Sequence, residues 1–337
     1  IYLYLSAYGA VYAASKPFFE KHPTWAFYNS CQEPFVFIDV FYIMNIAEGS
    51  PWRKHLFEEY QSAISMMGFS GIHMDTYGFP KTAYSHLDAI PKKIKLEDEL
   101  PTLIDETREN VHGEEEPYLI FNNVGAWPVQ RTADRKQDAV YIEVWPPYDR
   151  YASIAQLIRD ARTYAKDDKS IILAAYLKPF REGKREKALP AAKLLMGSIV
   201  SNGATHLLTG ENQTALTQGY YSDYTKFSDS EAEAIRRYYD YMIRYENLFF
   251  DPELQDVTMT HTGWDNYEYQ CTSHKVSSYG EAGKIWMLLR EKDYRKCIYL
   301  LNLCGQSEDY WNEGKEEPDP EEDIKFTVQV DTPSARI

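Results

Sequence analysis

Six short apolar runs, at residues 9–14, 71–74, 118–122, 139–144, 170–176 and 205–208, recur along the first two-thirds of the chain with amphipathic segments between them. Repeated strand–helix units of this spacing imply a parallel sheet, because a parallel neighbour is reached only by a crossover long enough to hold a helix. The intervening segments read as helices. Ser50 is an N-cap followed by Pro51 at the first helical position, and Trp52, Leu56, Tyr60 and Ile64 then repeat every four residues on one face. Residues 96–110, 151–166 and 190–201 read likewise, the last closed by Gly203. Ser228 and Glu231 form a capping box that opens a helix to about Tyr245.

An open sheet and a (β/α)8 barrel both fit this pattern, but a barrel needs eight units and six are legible before Leu248. The apolar run at 35–44 reads as an excursion of the loop after the first strand. The chain begins at Ile1 without a Met and stops at Ile337 soon after a strand-like run at 326–330. A fragment is therefore expected: a TIM-type barrel at 1–250 with its N-terminal strands missing, then the start of an antiparallel β-sandwich domain at 251–337. The runs at 284–290 and 297–303 supply strands of that second domain, and the acidic stretch 316–323 reads as a solvated loop rather than a metal site.

Composition narrows the partners. A net charge of −15 with no offsetting basic patch argues against nucleic acid. Cys31, Cys271, Cys297 and Cys304 show no C-x-x-C spacing, and no run approaches a membrane span. The 28 Tyr and 7 Trp suit a carbohydrate ligand, whose C–H faces stack on rings, although a large α/β core uses aromatics for packing as well.

Two stretches carry chemistry: Gly68 to Gly78, with Asp75 after an apolar strand, and Asp138 to Pro146, with Glu143 in the same position. An acid at the last residue of a buried strand solvates only at the rim of the sheet, where parallel α/β folds build their sites. Two such acids are the minimal machinery for glycoside cleavage. A cap or salt-bridge role is the commoner fate of a lone acid, but neither residue is followed by a helix start.

Gly68 to Gly78, followed by Tyr141-Ile142-Glu143-Val144-Trp145-Pro146, resembles glycoside hydrolase family 66, the family of dextranases and cycloisomaltooligosaccharide glucanotransferases. The resemblance extends over Ser6 to Ser15, Met44 to Arg53, Phe121 to Val124 and Leu208 to Asn212, with 68 positions from Asp75 to Glu143. It implies a retaining mechanism with Asp75 as nucleophile and Glu143 as general acid/base. Val144 and Trp145 would help Glu143 hold its proton near neutral pH. Asn122 and Asn123 are expected to bond sugar hydroxyls, and Glu211 and Asn212 to grip the sugar being cleaved. Trp145, Tyr77, Trp127 and Tyr176 are candidate stacking platforms. Asn45 and Arg53 are expected to shape the rim, with an ordinary surface role equally open for Arg53, and His73 to hydrogen-bond inside the barrel.

The resemblance implies no cofactor and no catalytic metal. It implies a secreted, cell-surface or periplasmic bacterial protein, and a monomer acting on dextran or isomaltooligosaccharides is expected. Closest to the dextranases is the expectation, because residues 177–189 are too short to hold the extra carbohydrate-binding module typical of the transferases. A glucanotransferase, another retaining α-glycosidase and a non-catalytic carbohydrate-binding barrel are the rivals. The last two fit less well: related α-glycosidases usually employ Asp as the acid/base, and non-catalytic barrels usually lose one carboxylate.

Overall fold

The computed structural model describes residues 6–166, 169–219, 225–263 and 265–330. Contacts gather into two compact units, one formed by residues 1–143 and 161–171, the other by 144–160 and 172–337. The division expected from sequence texture, near residue 250, is not the line along which these contacts part.

In the first unit, strands Ser6–Ala10, Gly71–Asp75, Tyr118–Val124 and Ala139–Glu143 pair side by side, all parallel. Register places Ala10 opposite Asp75, Met74 opposite Phe121, and Glu143 opposite Val124. Helix Pro51–Met67 forms as the stripe predicts, with Trp52, Leu56, Tyr60 and Ile64 buried. Ser50 accepts from the Arg53 N–H at its start, and Gly68 ends it at a φ of 70°. Helix Leu96–Asn110 buries Leu96, Leu100, Leu103 and Ile104 in the same core.

The first strand is placed differently from the expected 9–14. It ends at Ala10, the Val11 N–H bonds the Asp75 carbonyl at 2.9 Å, and the chain then leaves the sheet. Ala13–Ala14 pairs instead with Phe41–Ile43, which pairs with Val36–Phe37 in a separate antiparallel sheet. The run at 35–44 is therefore an excursion, as expected.

Asn45 and Arg53 do not shape a rim. Asn45 is fully buried: its amide donates to Ser85 Oγ at 2.8 Å and its oxygen accepts from the Ala47 N–H. Arg53 is 2% exposed, so the surface alternative fails as well. Its guanidinium donates to the Ile46 carbonyl, the Glu99 carbonyl, Thr102 Oγ1 and Glu106 Oε1, all between 2.8 and 3.2 Å. A planar group with five donors is the side chain suited to such divergent acceptors. The Met44 to Arg53 motif thus joins two helices and a loop.

In the second unit, the strand ending at Ala174 pairs in parallel with Thr205–His206, Ile172 facing Thr205. Helix Ala188–Ser201 is followed by Gly203 at a φ of 84°, and helix Asp229–Arg244 opens with the complete Ser228–Glu231 capping box. Downstream, Ile285–Lys292 and Arg295–Asn302 form an antiparallel hairpin, flanked on Ile285–Lys292 by antiparallel Gln255–Asp256 and parallel Val276–Ser277. The expected antiparallel domain is therefore mixed. The turn 278–284, with Gly283 at a φ of 75°, carries the chain from Val276–Ser277 into a neighbouring strand of the same direction. The ribbon of Tyr269–Cys271 with Phe326–Val328 shares a core with this sheet through Tyr269, Met287, Leu289 and Ile298. The acidic stretch has no regular structure but is pinned: Glu316 pairs with Lys187, Glu317 with Lys193 and Glu321 with Lys275.

Replacing Arg53 by Met should cost roughly 2–4 kcal/mol of unfolding free energy, because two backbone carbonyls, a hydroxyl and a carboxylate lose a buried donor. Arg53→Lys should recover little of it, since an ammonium cannot reach the same fork. Urea unfolding of both variants measures this; wild-type stability in Arg53→Met would show the cluster to be dispensable.

Candidate active site

Side chains alternate along a strand, so the face shown by Asp75 also carries His73 on the same strand. Register brings Asn122 and Glu143 of the next two strands onto that face. Asn122 lies on the middle strand of the three, between the two acids. Its Nδ2 donates to Asp75 Oδ1 at 2.8 Å and to Glu143 Oε2 at 3.1 Å. One nitrogen bonded to both oxygens cannot leave them farther apart than the two contacts laid end to end. The two acids therefore stand as close neighbours on one face. Asp75 and Glu143 are each 8% exposed.

The backbone around the acids is held tightly. The Asp75 carbonyl accepts from Val11 N–H and the Glu143 carbonyl from Gly125 N–H, both at 2.9 Å. Thr76 Oγ1 donates to the Asn122 carbonyl at 3.0 Å, and the Tyr77 N–H to the Tyr12 hydroxyl at 2.6 Å. Gly71 begins the Asp75 strand because a Cβ there would stand 2.4 Å from the Tyr118 carbonyl oxygen. Only glycine admits that approach.

Three phenols lie near Asp75. Burial first and the Asp75 carboxylate second raise Tyr60 and push Tyr77 up to about 12. Burial also raises Tyr12, with the Asp75 charge acting in the same direction. All three stay neutral donors at ordinary pH. The Tyr60 hydroxyl is buried with no hydrogen-bond partner among the described residues, as is Asn122 Oδ1. Beneath them His73 meets Tyr141 edge-on, ring centres 4.6 Å apart, and burial lowers its pKa to about 4.

The structure brings Asp75, Glu143 and Asn122 together and sets Asn123 apart from them. Asn123 is fully buried on the opposite face of its strand; its amide donates to the Tyr141 carbonyl and its oxygen accepts from Thr132. Parity excludes it from the face of Asn122. Tyr77 is stacked under Phe37 at 4.0 Å with Tyr12 against its edge, so that ring face is already covered. Trp127 carries the Lys81 ammonium 3.4 Å above its ring centre. Trp145 and Tyr176, both half-buried, lie 6.3 Å apart within the second unit. Glu211 and Asn212 are exposed in a short 3-10 turn of that unit, Asn212 at a φ of 54°. Sequence reading missed Tyr12 and Phe37, and it took Tyr60 only as a packing residue. A hydroxyl within an otherwise apolar helix stripe is the signal that Tyr60 offered.

The family model described as Glycosyl hydrolase family 66 matches residues 4–336. Over 141 residues, 42% of this chain and 14% of that protein, the sequence is 24% identical to a cycloisomaltooligosaccharide glucanotransferase of Niallia circulans. It is 22% identical over 326 residues to a dextranase of Streptococcus salivarius, covering 83% of this chain and 38% of that protein. The chain thus spans less than half the length of these relatives. Among solved structures, a cycloisomaltooligosaccharide glucanotransferase of Paenibacillus sp. complexed with cycloisomaltoheptaose superposes with a TM-score of 0.84 at 16% identity, covering 98% of this chain and 66% of that one. A maltogenic α-amylase of Thermotoga neapolitana reaches 0.53 at 10% identity, with 89% and 64% covered. At these identities the likeness is one of fold.

The neutral His73 has a pH consequence. Its folded pKa of about 4 lies below the unfolded value near 6.5, so between these the unfolded chain binds a proton that the native state does not. Stability should therefore fall as pH drops through that window, by about 1.4 kcal/mol per pH unit from this group alone. His73→Phe should flatten the slope by that amount in urea titrations at pH 6.5, 5.5 and 4.5. An unchanged slope would show that His73 is protonated in the fold.

Proposed function

The chain belongs to glycosyl hydrolase family 66, and on that premise we propose that it hydrolyses internal α-1,6 bonds of dextran with retention of configuration. Asp75 is the nucleophile and Glu143 the general acid/base. The observation that supports this most is the amide of Asn122 donating to both carboxylates at once. It favours the close pair used for double displacement over the wider pair that leaves room for an attacking water.

In the first step Glu143 delivers its proton to the glycosidic oxygen while Asp75 attacks the anomeric carbon. The departing chain leaves a glycosyl ester on Asp75. In the second, Glu143 takes a proton from water as the water oxygen attacks the anomeric carbon, breaking the ester bond and releasing Asp75 as the carboxylate. Asn122 Nδ2 holds an oxygen of each acid, so both approach the sugar in fixed orientation, which is worth more than the bonds themselves. Its other amide atom, Oδ1, is buried without a hydrogen-bond partner among the described residues, so the role of Asn122 in this reading is to bridge the acids. A polymeric substrate fits a protein that works outside the cell.

A glucanotransferase is the second reading, favoured by the relatives of that name. Hydrolysis is preferred because two short 3-10 turns, Lys178–Phe180 and Arg185–Lys187, are all that intervene between Ala174 and helix Ala188–Ser201. Sizing the early products of the full-length protein on dextran separates the two: linear isomaltooligosaccharides support hydrolysis, cyclic ones the transferase.

Asp75→Asn and Glu143→Gln should each lower kcat by roughly 10³-fold or more, about 4 kcal/mol, with unfolding midpoints little changed because the swaps are isosteric. Azide should partly restore Asp75→Ala. Asn122→Ala should lose about 10²-fold, mostly in kcat. Full activity in Asp75→Asn would remove the nucleophile assignment, and full activity in Asn122→Ala the bridging role.

A further inference from the structure

The hairpin of Val36–Phe37 and Phe41–Ile43 carries a tip that fold stability does not account for. The tip is closed by the Val40 N–H bonding the Phe37 carbonyl at 3.1 Å. Its two central residues, Ile38 and Asp39, have φ of 47° and 58°. Tight hairpin turns of positive φ select Asn and Gly, and a β-branched side chain is the worst choice for them. Ile38 gains little burial in return, because it is 51% exposed and Val40 52%. Strain that packing does not offset is grounds for a functional hypothesis.

The tip stands beside the candidate site. Phe37 and Phe41 face each other across the hairpin, and both rings approach Tyr77, at 4.0 and 6.4 Å between centres. Tyr77 lies two residues beyond Asp75 and feels its charge. At its base the hairpin is rigid: Ala13–Ala14 pairs with it, and Phe19 stacks on Tyr42 at 4.1 Å. The exposed end therefore presents two aliphatic side chains with the Asp39 carboxylate between them, projected from a fixed root next to the nucleophile strand. A glucan offers the matching surface, with apolar C–H faces alternating with hydroxyls that donate to a carboxylate.

Resting on the dextran reading above, we propose that Ile38, Asp39 and Val40 form a chain-binding element of the substrate cleft that selects polymer over short oligosaccharide. The tip contacts glucose units away from the bond being cut. It acts on affinity for long chains rather than on the chemical step.

The test compares kcat/KM for dextran and for isomaltotetraose in the full-length protein and in Ile38→Gly and Val40→Ser. Glycine suits a positive φ, so Ile38→Gly should unfold at the wild-type midpoint or above it. Its dextran kcat/KM should fall about five-fold through KM, with isomaltotetraose changed by less than about two-fold. Val40→Ser, which leaves the strained position untouched, should show the same selectivity shift. A dextran-to-isomaltotetraose ratio like wild type in both variants overturns the proposal, as does an equal fall on the two substrates. Wild-type protein inactive on both would instead refute the dextran reading, and the hairpin proposal with it.

Discussion

Two acids buried a few ångströms apart lose their hydration, and a donor placed between them offsets part of that cost. Asn122 is that donor. The strand order of the first unit follows from what it must reach: Tyr118–Val124 has to lie between Gly71–Asp75 and Ala139–Glu143, in a register that puts residue 122 between residues 75 and 143. A slip of one residue in the middle strand would turn Asn123 toward the acids and Asn122 toward the helices. The neighbouring Asn123 makes that slip costly, because its amide and oxygen are already committed to Tyr141 and Thr132. One asparagine orients the acids while the next locks the register that makes this possible.

The surroundings keep the charge count low. Tyr12, Tyr60 and Tyr77 meet Asp75 as neutral phenols, and His73 below them is a neutral imidazole. Rigid backbone bonds from Val11 and Gly125 hold the strand ends.

The features most legible in the sequence were those governed by local periodicity. The four-residue stripe of Pro51–Met67, its Ser50 start and the Ser228–Glu231 box all form as the sequence predicts, because caps and amphipathic stripes are decided within one turn of chain. The strand-ending acids were legible for the same reason. What failed depended on partners far away in sequence. Asn45, Arg53 and Asn123 are polar residues in or beside the matching motifs, and polarity alone suggested a ligand. Their partners are Ser85, Glu99, Glu106 and Thr132, none of which a local window reveals. Nothing in the residues around Tyr77 announces that Phe37 covers one face of its ring.

The texture change after Asp251 was a true change from helix to strand, yet the chain beyond it is structurally committed to segments before it. Within the second unit, Lys315 is buried, its ammonium held by Glu308 and the Tyr310 and Glu313 carbonyls. That clamp shapes a loop whose Trp311 indole donates to the Tyr148 carbonyl at 2.6 Å and whose Asn312 accepts from the Lys178 N–H at 2.9 Å. Asp309 pairs with Arg150, and the Lys315 N–H bonds the Lys187 carbonyl. The segments braced in this way are those that follow Glu143 and Ala174. A buried ammonium is costly unless every donor is used, so the loop has one stable shape, and the segments bonded to it inherit that shape. The strand-rich C-terminal region therefore does more than fold beside the helices. It sets the path of the chain immediately after two parallel strands, including the stretch in which Trp145 and Tyr176 stand.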